Sequence, residues 1–346
     1  MSNDLTSQRK DDHIHINLEQ DVSFDKLTTG LERYHFVHQA LPELDLEEIS
    51  TKTTFLGKSL GSPLLIASMT GGSPLAAQIN QALAEVAQEF GLGMGLGSMR
   101  AALEQPDVAW SFKVRAYAPH ILLLANLGAV QLNYTCGPEQ CLRVVEMIEA
   151  DGLILHLNPL QEALQPEGNT HFKGLLKKIE QVCHTLKVPV IVKEVGWGLS
   201  AQVARQLIEA GVAALDVAGA GGTSWSQVEM YRSRTENQRD VAAVFRDWGL
   251  PTAESIREVR KVAPQVPLIA SGGITNGLEI AKALALGADA ASLAGALLRD
   301  AAQSVDALRT QVEILTRQLR IAMFASGAKD IPTLKQMPLI REAAAS

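Results

Sequence analysis

The chain has 346 residues, of which 47% are hydrophobic and 20% charged, and its formal net charge is −7. This composition is ordinary for a folded globular protein and excludes an intrinsically disordered chain. The acidic balance and the lack of a long basic run argue against a nucleic-acid partner.

The first 60 residues lack a regular rhythm of strands and helices. They include a basic pair, Arg9-Lys10, a segment at residues 24–30 that we expect to form a short helix, and a β-branched run at residues 51–55 followed by Leu56-Gly57. The last of these predicts the edge of a hairpin. No apolar stretch follows the charges of residues 1–10, so no secretory signal is predicted.

From Pro63 onwards, apolar runs of strand length alternate with segments of helical periodicity. Eight strands are predicted, at residues 63–69, 92–97, 121–126, 152–157, 189–195, 214–218, 267–271 and 288–293. Continuous apolar runs indicate strands covered on both faces, as in a parallel sheet. Eight such units favour a (β/α)₈ TIM barrel, and an open doubly wound sheet is the alternative.

A long helix is expected at residues 303–324, before a tail that contains Pro332 and Pro338. We therefore divide the chain into an irregular N-terminal extension, residues 1–60, and a barrel with a C-terminal helical tail, residues 61–346. The longest apolar runs, such as residues 121–124, are too short to cross a membrane. Cys136, Cys141 and Cys183 lack zinc-site spacing, so we expect free thiols and a cytoplasmic protein without a membrane partner.

The fourth predicted strand ends in a polar cluster. His156, Asn158, Gln161 and Glu162 follow the apolar run Leu153-Ile154-Leu155. In a parallel α/β protein, ligands bind outside the carboxyl ends of the strands. The other predicted strand ends also carry hydrogen-bonding groups or glycines: Ser68, Met69, Thr70, Ser98, Arg100, Asn126, Lys193, residues 219–225, residues 271–273, Ala294 and Gly295.

Two glycine turns follow the seventh and eighth strands. Ser271-Gly272-Gly273-Ile274 and Ala294-Gly295-Ala296 lie where barrels of this kind often bind a phosphate group. The alternative is that the glycines only allow tight turns. A bound phosphate is the better explanation for both turns together.

Lys193 alternates with Val192 along the fifth strand and shares a face with Ile191. If that face is the barrel interior, its ammonium group could neutralise charge on a cofactor ring; otherwise it points to solvent or pairs with a carboxylate. The chain has no G-x-G-x-x-G or Walker-type loop. A phosphate site, this lysine and the donors of Thr70, Ser98, Asn126 and Thr223 suit a mononucleotide such as FMN.

Glu162 is a single carboxylate at the rim of the predicted pocket, which is how Mg²⁺ is often held together with substrate phosphates. The alternative is that it caps a helix or pairs with a lysine. Arg9, Lys10 and Arg100 could balance a diphosphate, although a basic pair near a terminus is often only solvated. His13 and His15 alternate as on a strand, and we leave them unassigned.

Seven motifs, in order along nearly the whole chain, resemble those of the type 2 isopentenyl-diphosphate isomerase family. They are Arg9-Lys10-Asp11-Asp12-His13, Ala67-Ser68-Met69-Thr70-Gly71-Gly72, Gly97-Ser98-Met99-Arg100, His156-Leu157-Asn158-Pro159-Leu160-Gln161-Glu162, Lys193-Glu194-Val195-Gly196, Gly221-Gly222-Thr223-Ser224-Trp225 and Ser271-Gly272-Gly273-Ile274.

The resemblance implies a flavoprotein that interconverts isopentenyl diphosphate and dimethylallyl diphosphate with reduced FMN, Mg²⁺ and NADPH, in homotetramers or larger assemblies. The residues implied to contact FMN are Ala67, Ser68, Met69, Thr70, Ser98, Asn126, Lys193, Thr223, Gly272, Gly273, Ile274, Ala294 and Gly295. Those implied for the substrate are Arg9, Lys10, Ser98, Met99, Arg100 and Gln161, with Glu162 for Mg²⁺.

Moving a double bond along a C5 chain requires protonation at one carbon and deprotonation at another. Our hypothesis is that reduced flavin is the principal acid and base, with Lys193 stabilising the anionic ring. Gln161 orients or relays a proton, His156 and Asn158 set its position or bind diphosphate, and Trp225 shields positive charge.

Two other functions are compatible with a flavin-binding barrel. One is an FMN-dependent oxidoreductase acting on a 2-hydroxy acid, which would use a histidine base at a late strand end; the sixth strand is followed by Gly219-Ala220-Gly221-Gly222 without one. The other is a flavin-binding protein without turnover, which leaves Gln161 and Glu162 without a role.

Overall fold

The computed structural model describes residues 12–342. Eight parallel strands form a closed barrel in which each strand pairs with its chain neighbours and the last pairs with the first. The barrel strands are β4 (Leu64–Ile66), β5 (Gly93–Gly95), β6 (Leu123–Gly128), β7 (Gly152–His156), β8 (Val190–Lys193), β9 (Ala214–Asp216), β10 (Leu268–Ser271) and β11 (Ala290–Leu293). Each predicted strand overlaps one of them, which confirms the (β/α)₈ fold and excludes an open sheet.

Helices surround this barrel. They are α1 (12–19), α2 (Pro74–Phe90), α3 (Arg100–Glu104), α4 (Pro138–Met147), α5 (Pro159–Leu164), α6 (Leu175–Thr185), α7 (Ala201–Glu209), α8 (Trp225–Arg232), α9 (Glu236–Ala243), α10 (Thr252–Val262), α11 (Gly277–Ala285), α12 (Gly295–Gln303), α13 (Val305–Ser326) and α14 (Ile331–Leu334). Within the described residues, none of the helices is long and apolar enough to cross a membrane.

Local sequence signals explain where the long helices begin and end. The Ser73 hydroxyl accepts a hydrogen bond from Ala76 N at the start of α2, Pro74 is its first residue, and Gly91 ends it in the left-handed conformation. The expected C-terminal helix is α13, where Ser304 accepts from Ala307 N and Gly327 provides the same kind of ending.

The predicted hairpin is present as β2 (Thr53–Phe55) and β3 (Lys58–Leu60). Phe55 and Leu60 enter the amino-terminal end of the barrel and close its interior. This interior cluster is made of Phe55, Leu60, Leu65, Leu122, Leu124, Ile154, Ile191, Ala214, Ile269 and Ala290. A much larger apolar cluster lies outside the barrel wall, where it packs the helices against the strands.

The N-terminal extension and the C-terminal tail meet on the outside of the barrel. Strand β1 (Tyr34–Phe36) pairs antiparallel with β12 (Leu339–Arg341). Ser50 N also donates to Lys329 O at 3.0 Å. The extension is therefore fastened to the barrel by main-chain hydrogen bonds.

The helix expected at residues 24–30 is not formed. The Asp247 carboxylate instead accepts hydrogen bonds from three successive amides, those of Asp25, Lys26 and Leu27, at 3.0, 2.8 and 3.0 Å. Three amides aimed at one oxygen hold the segment in a turn. The prediction was wrong because the partner of these amides lies 222 positions from Asp25.

Two arginines secure the amino-terminal ends of strands in the same way on opposite sides of the barrel. Arg115 donates to Asp151 at 3.0 Å and Asp151 accepts from Leu123 N at 2.9 Å. Arg260 donates to Asp289 at 2.7 Å and Asp289 accepts from Leu268 N at 2.8 Å. Each arginine also donates to main-chain carbonyls: Ala118, Pro119, Ile121 and Glu149 for the first, and Ala263, Pro264, Val266 and Gly287 for the second.

Candidate active site

The carboxyl ends of the barrel strands surround a cavity of about 450 Å³. Helix α1 covers one side, where His13, Ile14 and Asn17 line the cavity. The Thr223 hydroxyl donates to Asn17 Oδ1 at 3.3 Å, and Ser224 N donates to Val22 O at 2.7 Å. The extension and the loop after β9 thus form one wall.

Nearly all the residues singled out from the sequence lie on this cavity. Those lining it are Ala67, Ser68, Met69, Thr70, Ser98, Arg100, Asn126, His156, Asn158, Gln161, Glu162, Lys193, Thr223, Trp225, Gly272, Gly273, Ile274, Ala294 and Gly295. Arg9 and Lys10 lie outside the described residues.

Met99 is the exception among the predicted substrate contacts. Its side chain is fully buried in the core outside the barrel and does not line the cavity. Its backbone N donates to Asn126 O at 2.8 Å. The Met99 backbone holds the loop after β5, and the predicted contact of Met99 with the substrate would have to be made by main-chain atoms.

The turn after β10 packs tightly on the loop after β9. Gly272 and Gly273 have φ angles of +99° and +71°, and a Cβ atom at Gly272 would lie 2.0 Å from Gly219 O. The Thr252 hydroxyl donates to Gly272 O at 2.6 Å. The turn therefore requires glycine for structural reasons as well as for any ligand.

Gly295 has no such structural requirement. A Cβ atom there would meet nothing within 4 Å, and α12 begins at this residue without a side-chain cap. The first amides of a helix attract anions because they are unpaired and carry partial positive charge. The start of α12 and the Gly272-Gly273 turn together form an end of the cavity suited to phosphate.

Two buried hydroxyl oxygens of cavity-lining residues have no hydrogen-bond partner among the described residues. They are Ser68 Oγ and Thr70 Oγ1, on the loop after β4. An unpaired buried polar group is costly, so such atoms usually mark a place where a ligand or water binds. The chemistry of this wall fits a phosphorylated cofactor with polar ring edges, such as the FMN predicted above.

Lys193 ends β8 on the cavity side. Ile191, two residues earlier, lies in the interior cluster, whereas Val192 lies in the outer core. Lys193 Nζ donates to Glu194 O at 2.6 Å. The ammonium group is therefore presented to the cavity, as the strand alternation predicted for an inward-facing lysine.

The next residue, Glu194, organises the loop after β8. Its Oε2 accepts from the amides of Val195, Gly196 and Trp197 at 2.6, 2.7 and 2.5 Å. Burial raises the pKa of Glu194 to about 7, against the lowering effect of these amides and of the Lys193 charge. This side chain builds the wall formed by Val195 and Gly196.

His156 is a neutral imidazole with a defined tautomer. Asn126 Nδ2 donates to Leu96 O at 3.0 Å, so its Oδ1 is left to accept from His156 Nδ1 at 2.9 Å. Burial, followed by the charge of Lys193, lowers the pKa of His156 to about 3. Its Nε2 atom is consequently a hydrogen-bond acceptor.

The amide of Gln161 is fixed from both sides. Its Oε1 accepts from Asn158 Nδ2 at 3.1 Å, and its Nε2 donates to Glu229 Oε1 at 3.1 Å. All three side chains are buried. The hydrogen bonds therefore determine which end of the amide is the donor.

Glu229, on α8, was missed by the sequence analysis. It is fully buried, and its other oxygen accepts from Arg232 at 2.6 Å, while His13 Nε2 lies 3.3 Å from Oε1. Burial raises the pKa of Glu229, but hydrogen bonding and charge from His13 and the charge of Arg232 outweigh it, so the net pKa is lowered. Glu229 follows Trp225 by one helical turn, which places the two side chains on the same face of α8. This spacing was the signal in the sequence that could have identified it.

Glu162 lies beside this network. Its Oε1 accepts from Asn158 Nδ2 at 3.0 Å and its Oε2 from Asn169 N at 2.5 Å. Each oxygen keeps a second lone pair for a cation. Across residues 12–342, no group of three or more His, Cys, Asp or Glu side chains is placed to hold a metal ion, so a divalent cation here would need ligands from a substrate.

The fold is shared with solved flavoenzyme structures of low sequence identity. The chain superposes on mandelate oxidase with a TM-score of 0.67 at 17% identity, covering 98% of both chains. A mandelate oxidase variant with (S)-mandelic acid gives a TM-score of 0.66 at 15% identity. These likenesses establish the barrel architecture.

Sequence comparison identifies the family, which the structural likenesses do not. The model of the FMN-dependent dehydrogenase family matches residues 4–111 and 147–341. The chain is 54% identical to an isopentenyl-diphosphate delta-isomerase of Nostoc sp. over 95% of its length and 94% of the relative's. It is 52% identical to the same enzyme of Rickettsia rickettsii, over 95% and 96%. The chain therefore belongs to the isopentenyl-diphosphate delta-isomerase family, within the FMN-dependent dehydrogenases.

Proposed function

We propose that this chain is a type 2 isopentenyl-diphosphate isomerase, which interconverts isopentenyl and dimethylallyl diphosphate with FMN reduced by NADPH and with Mg²⁺ on the diphosphate. Membership of the family supports an FMN-dependent isomerase. The observation that carries the finer proposal is the Gln161 amide, locked between Asn158 and Glu229 on the wall next to Glu162. A buried, oriented amide beside a single carboxylate suits a substrate that has an apolar reacting part and an anionic tail.

FMN would be held by its phosphate at the start of α12 and the Gly272-Gly273 turn, and by the hydroxyls of Ser68 and Thr70. Lys193 would lie against the ring system, where its charge favours the reduced anion. When bound, reduced flavin supplies an acid and base strong enough to act on an unactivated alkene. The remaining predicted contacts from the resemblance, including Ser98, Asn126 and Thr223, line the same cavity.

The substrate would bind with its diphosphate toward Glu162 and Arg100. Glu162 would hold Mg²⁺, and Arg100 would balance the remaining charge, with Arg9 and Lys10 proposed to add to it from the part of the extension outside the described residues. His156 Nε2, an acceptor, suits a group that donates a hydrogen bond, and a protonated diphosphate oxygen or a Mg²⁺-bound water is such a group.

Gln161 would orient the reacting carbons or relay a proton, accepting one at Oε1 as it releases one from Nε2. It would not itself be the acid, because an amide is a poor acid. Trp225 lines the cavity and meets the His13 ring edge-on, with centroids 5.2 Å apart. Its ring face would stabilise positive charge on the substrate, and together with α1 it would exclude water from that charge.

The 2-hydroxy-acid oxidoreductase is the second candidate, since the low-identity structural neighbours are mandelate oxidases. The loop after β9, residues 219–222, carries no histidine to take the proton of a 2-hydroxy acid. The buried Gln161–Glu229 pair has no role in that reaction. We therefore favour the isomerase over the oxidase and over a flavin-binding protein without turnover.

The test is an anaerobic assay of purified protein with FMN, NADPH, Mg²⁺ and each C5 diphosphate in turn, followed by proton NMR. We expect both substrates to reach the same equilibrium mixture, with no net consumption of NADPH after the flavin is reduced. Oxidation of mandelate or lactate, with no conversion of either diphosphate, would overturn the proposal. A homotetramer or larger assembly and a cytoplasmic location are also proposed, and light scattering tests the first.

A further inference from the structure

Asp216 is a buried carboxylate that has no part in the proposed mechanism. It ends β9 and is 2% exposed. It shares a strand face with Ala214, which belongs to the interior cluster. Asp216 does not line the cavity itself, but lies directly behind residues that do.

Two of those residues donate hydrogen bonds to Asp216. Asp216 Oδ1 accepts from Ser271 Oγ at 2.5 Å and from Ala218 N at 3.3 Å. Ser271 and Ala218 both line the cavity. The carboxylate therefore fixes two points of the cavity floor, one on β10 and one after β9.

The third neighbour carries the opposite charge. In the parallel register, His156 pairs with Lys193, and Lys193 pairs with Asp216. Asp216 therefore lies beside Lys193 on the same face of the barrel wall, with neutral His156 on the other side of Lys193. Burial raises the pKa of Asp216 and outweighs the lowering effects of the Lys193 charge and of the hydrogen bonds from Ser271 and Ala218, so the net pKa is raised. A buried carboxylate is costly unless such groups compensate it.

We propose that Asp216 is the counter-charge of Lys193 and that, through Lys193 and Ser271, it is a positioning residue that sets how strongly the site prefers reduced over oxidised FMN. The inference rests on the FMN site proposed above and not on the isomerase reaction. Removing the negative charge should leave more of the Lys193 charge to the anionic reduced flavin.

The experiment measures the dissociation constants of oxidised and reduced FMN for Asp216→Asn, which keeps the shape of the side chain. We expect the ratio of the oxidised to the reduced constant to rise by about tenfold, and the reduction potential to become more positive, because one buried charge beside a cation is removed. Lys193→Met should move the ratio in the opposite direction.

A second readout uses the protein without FMN. In Lys193→Met the buried Asp216 loses its compensating charge, so the thermal midpoint should fall. Adding Asp216→Asn to that variant should restore part of the loss, giving effects that do not add. This measurement distinguishes a charge pair from two independent structural roles.

Asp289→Asn is the matched control, because Asp289 is a carboxylate paired with a cation at the opposite end of the barrel. Asp289→Asn should lower the thermal midpoint without changing the ratio of the dissociation constants of oxidised and reduced FMN. An unchanged ratio in Asp216→Asn, or additive stability effects, would overturn the inference, and so would loss of FMN binding by Asp216→Asn alone. If wild-type protein takes up no FMN, the proposed function fails as well, whereas absence of isomerisation alone leaves this inference standing.

Discussion

Gln161 and Glu229, 68 residues apart in the chain, are joined by a hydrogen bond of 3.1 Å from Nε2 to Oε1. The bond turns the amide of Gln161 so that its oxygen faces Asn158. Both side chains are buried, so this contact is largely shielded from solvent. Glu229 is thus the residue that determines how Gln161 is presented to the substrate.

The first prediction concerns this pair. Glu229→Gln removes the charge that orients the amide, and we expect kcat to fall about 10- to 100-fold with a smaller change in KM, since hydrogen bonds to charged groups contribute about 1.5–3 kcal/mol. FMN loading should be unchanged. Glu236→Gln, on an exposed residue at the start of α9, is the control. Equal loss in kcat and in FMN loading would indicate a purely structural role.

The second prediction concerns the pH dependence of stability. The pKa of His156 is about 3 in the fold, below its ordinary value of 6.5. The unfolded chain therefore binds the proton first, and the contribution of His156 to stability is lost as pH falls from 6.5 towards 3. Urea unfolding between pH 7 and 4.5 should show a steeper loss in the wild type than in His156→Asn.

The wild type must be compared with His156→Asn because Glu194 changes the pH dependence of stability in the opposite sense to His156. Its pKa is raised to about 7, so the fold binds that proton more tightly and loses this contribution as pH rises from 4.5 to 7. Both proteins retain Glu194, so its effect cancels in the difference. Parallel curves for the two proteins would mean that His156 titrates normally.

The third prediction separates cofactor binding from folding at Gly295. Gly295→Asp places a carboxylate at the start of α12, which should stabilise the helix by about 0.3–1 kcal/mol. The same charge should repel the FMN phosphate and weaken binding by about 100-fold. Calorimetry and thermal melting measure the two effects, with Gly295→Ala as the uncharged control. Undiminished FMN affinity in the aspartate variant would place the phosphate elsewhere.

The fourth prediction concerns Mg²⁺. Glu162→Gln should raise the Mg²⁺ concentration needed for half-maximal isomerisation by at least about tenfold, because the metal loses its one protein carboxylate. FMN affinity should stay the same, since the α12 end of the cavity is untouched. Glu167→Gln, five residues further along the chain and with its side chain 47% exposed, is the control. The same Mg²⁺ dependence in wild type and Glu162→Gln would remove Glu162 from the metal site.

The fifth prediction concerns the amino-terminal end of the barrel. Arg260→Met removes the hydrogen bonds to the carbonyls around Val266 and to Asp289, and we expect a loss of about 2–3 kcal/mol in unfolding free energy. Arg115→Met should cost a similar amount, since its contacts repeat the same pattern. Urea denaturation measures both, and FMN affinity should change in neither. A large change in FMN affinity would show that the amino-terminal end of the barrel influences the geometry of the FMN site.

Most of the architecture was predictable because its signals are local. The barrel strands are mostly apolar runs, the hairpin has its β-branched residues and glycine, and α13 has a serine at its start and a glycine after its end. The positions of Lys193, Glu162 and Gln161 on the cavity follow from strand alternation and from lying at strand ends. Burial on both faces of a strand and the chemistry of turns are properties of short stretches of sequence.

The tertiary structure decided what depends on partners distant in the chain. Residues 24–30 are a turn because Asp247 binds their amides, and Met99 lies in the core because the neighbouring helices cover it. The orientation of Gln161 depends on Glu229, and the tautomer of His156 depends on Asn126. Short-range patterns carry no information about such contacts, because hydrogen bonds between distant residues are set only when the barrel closes and brings its strand ends together.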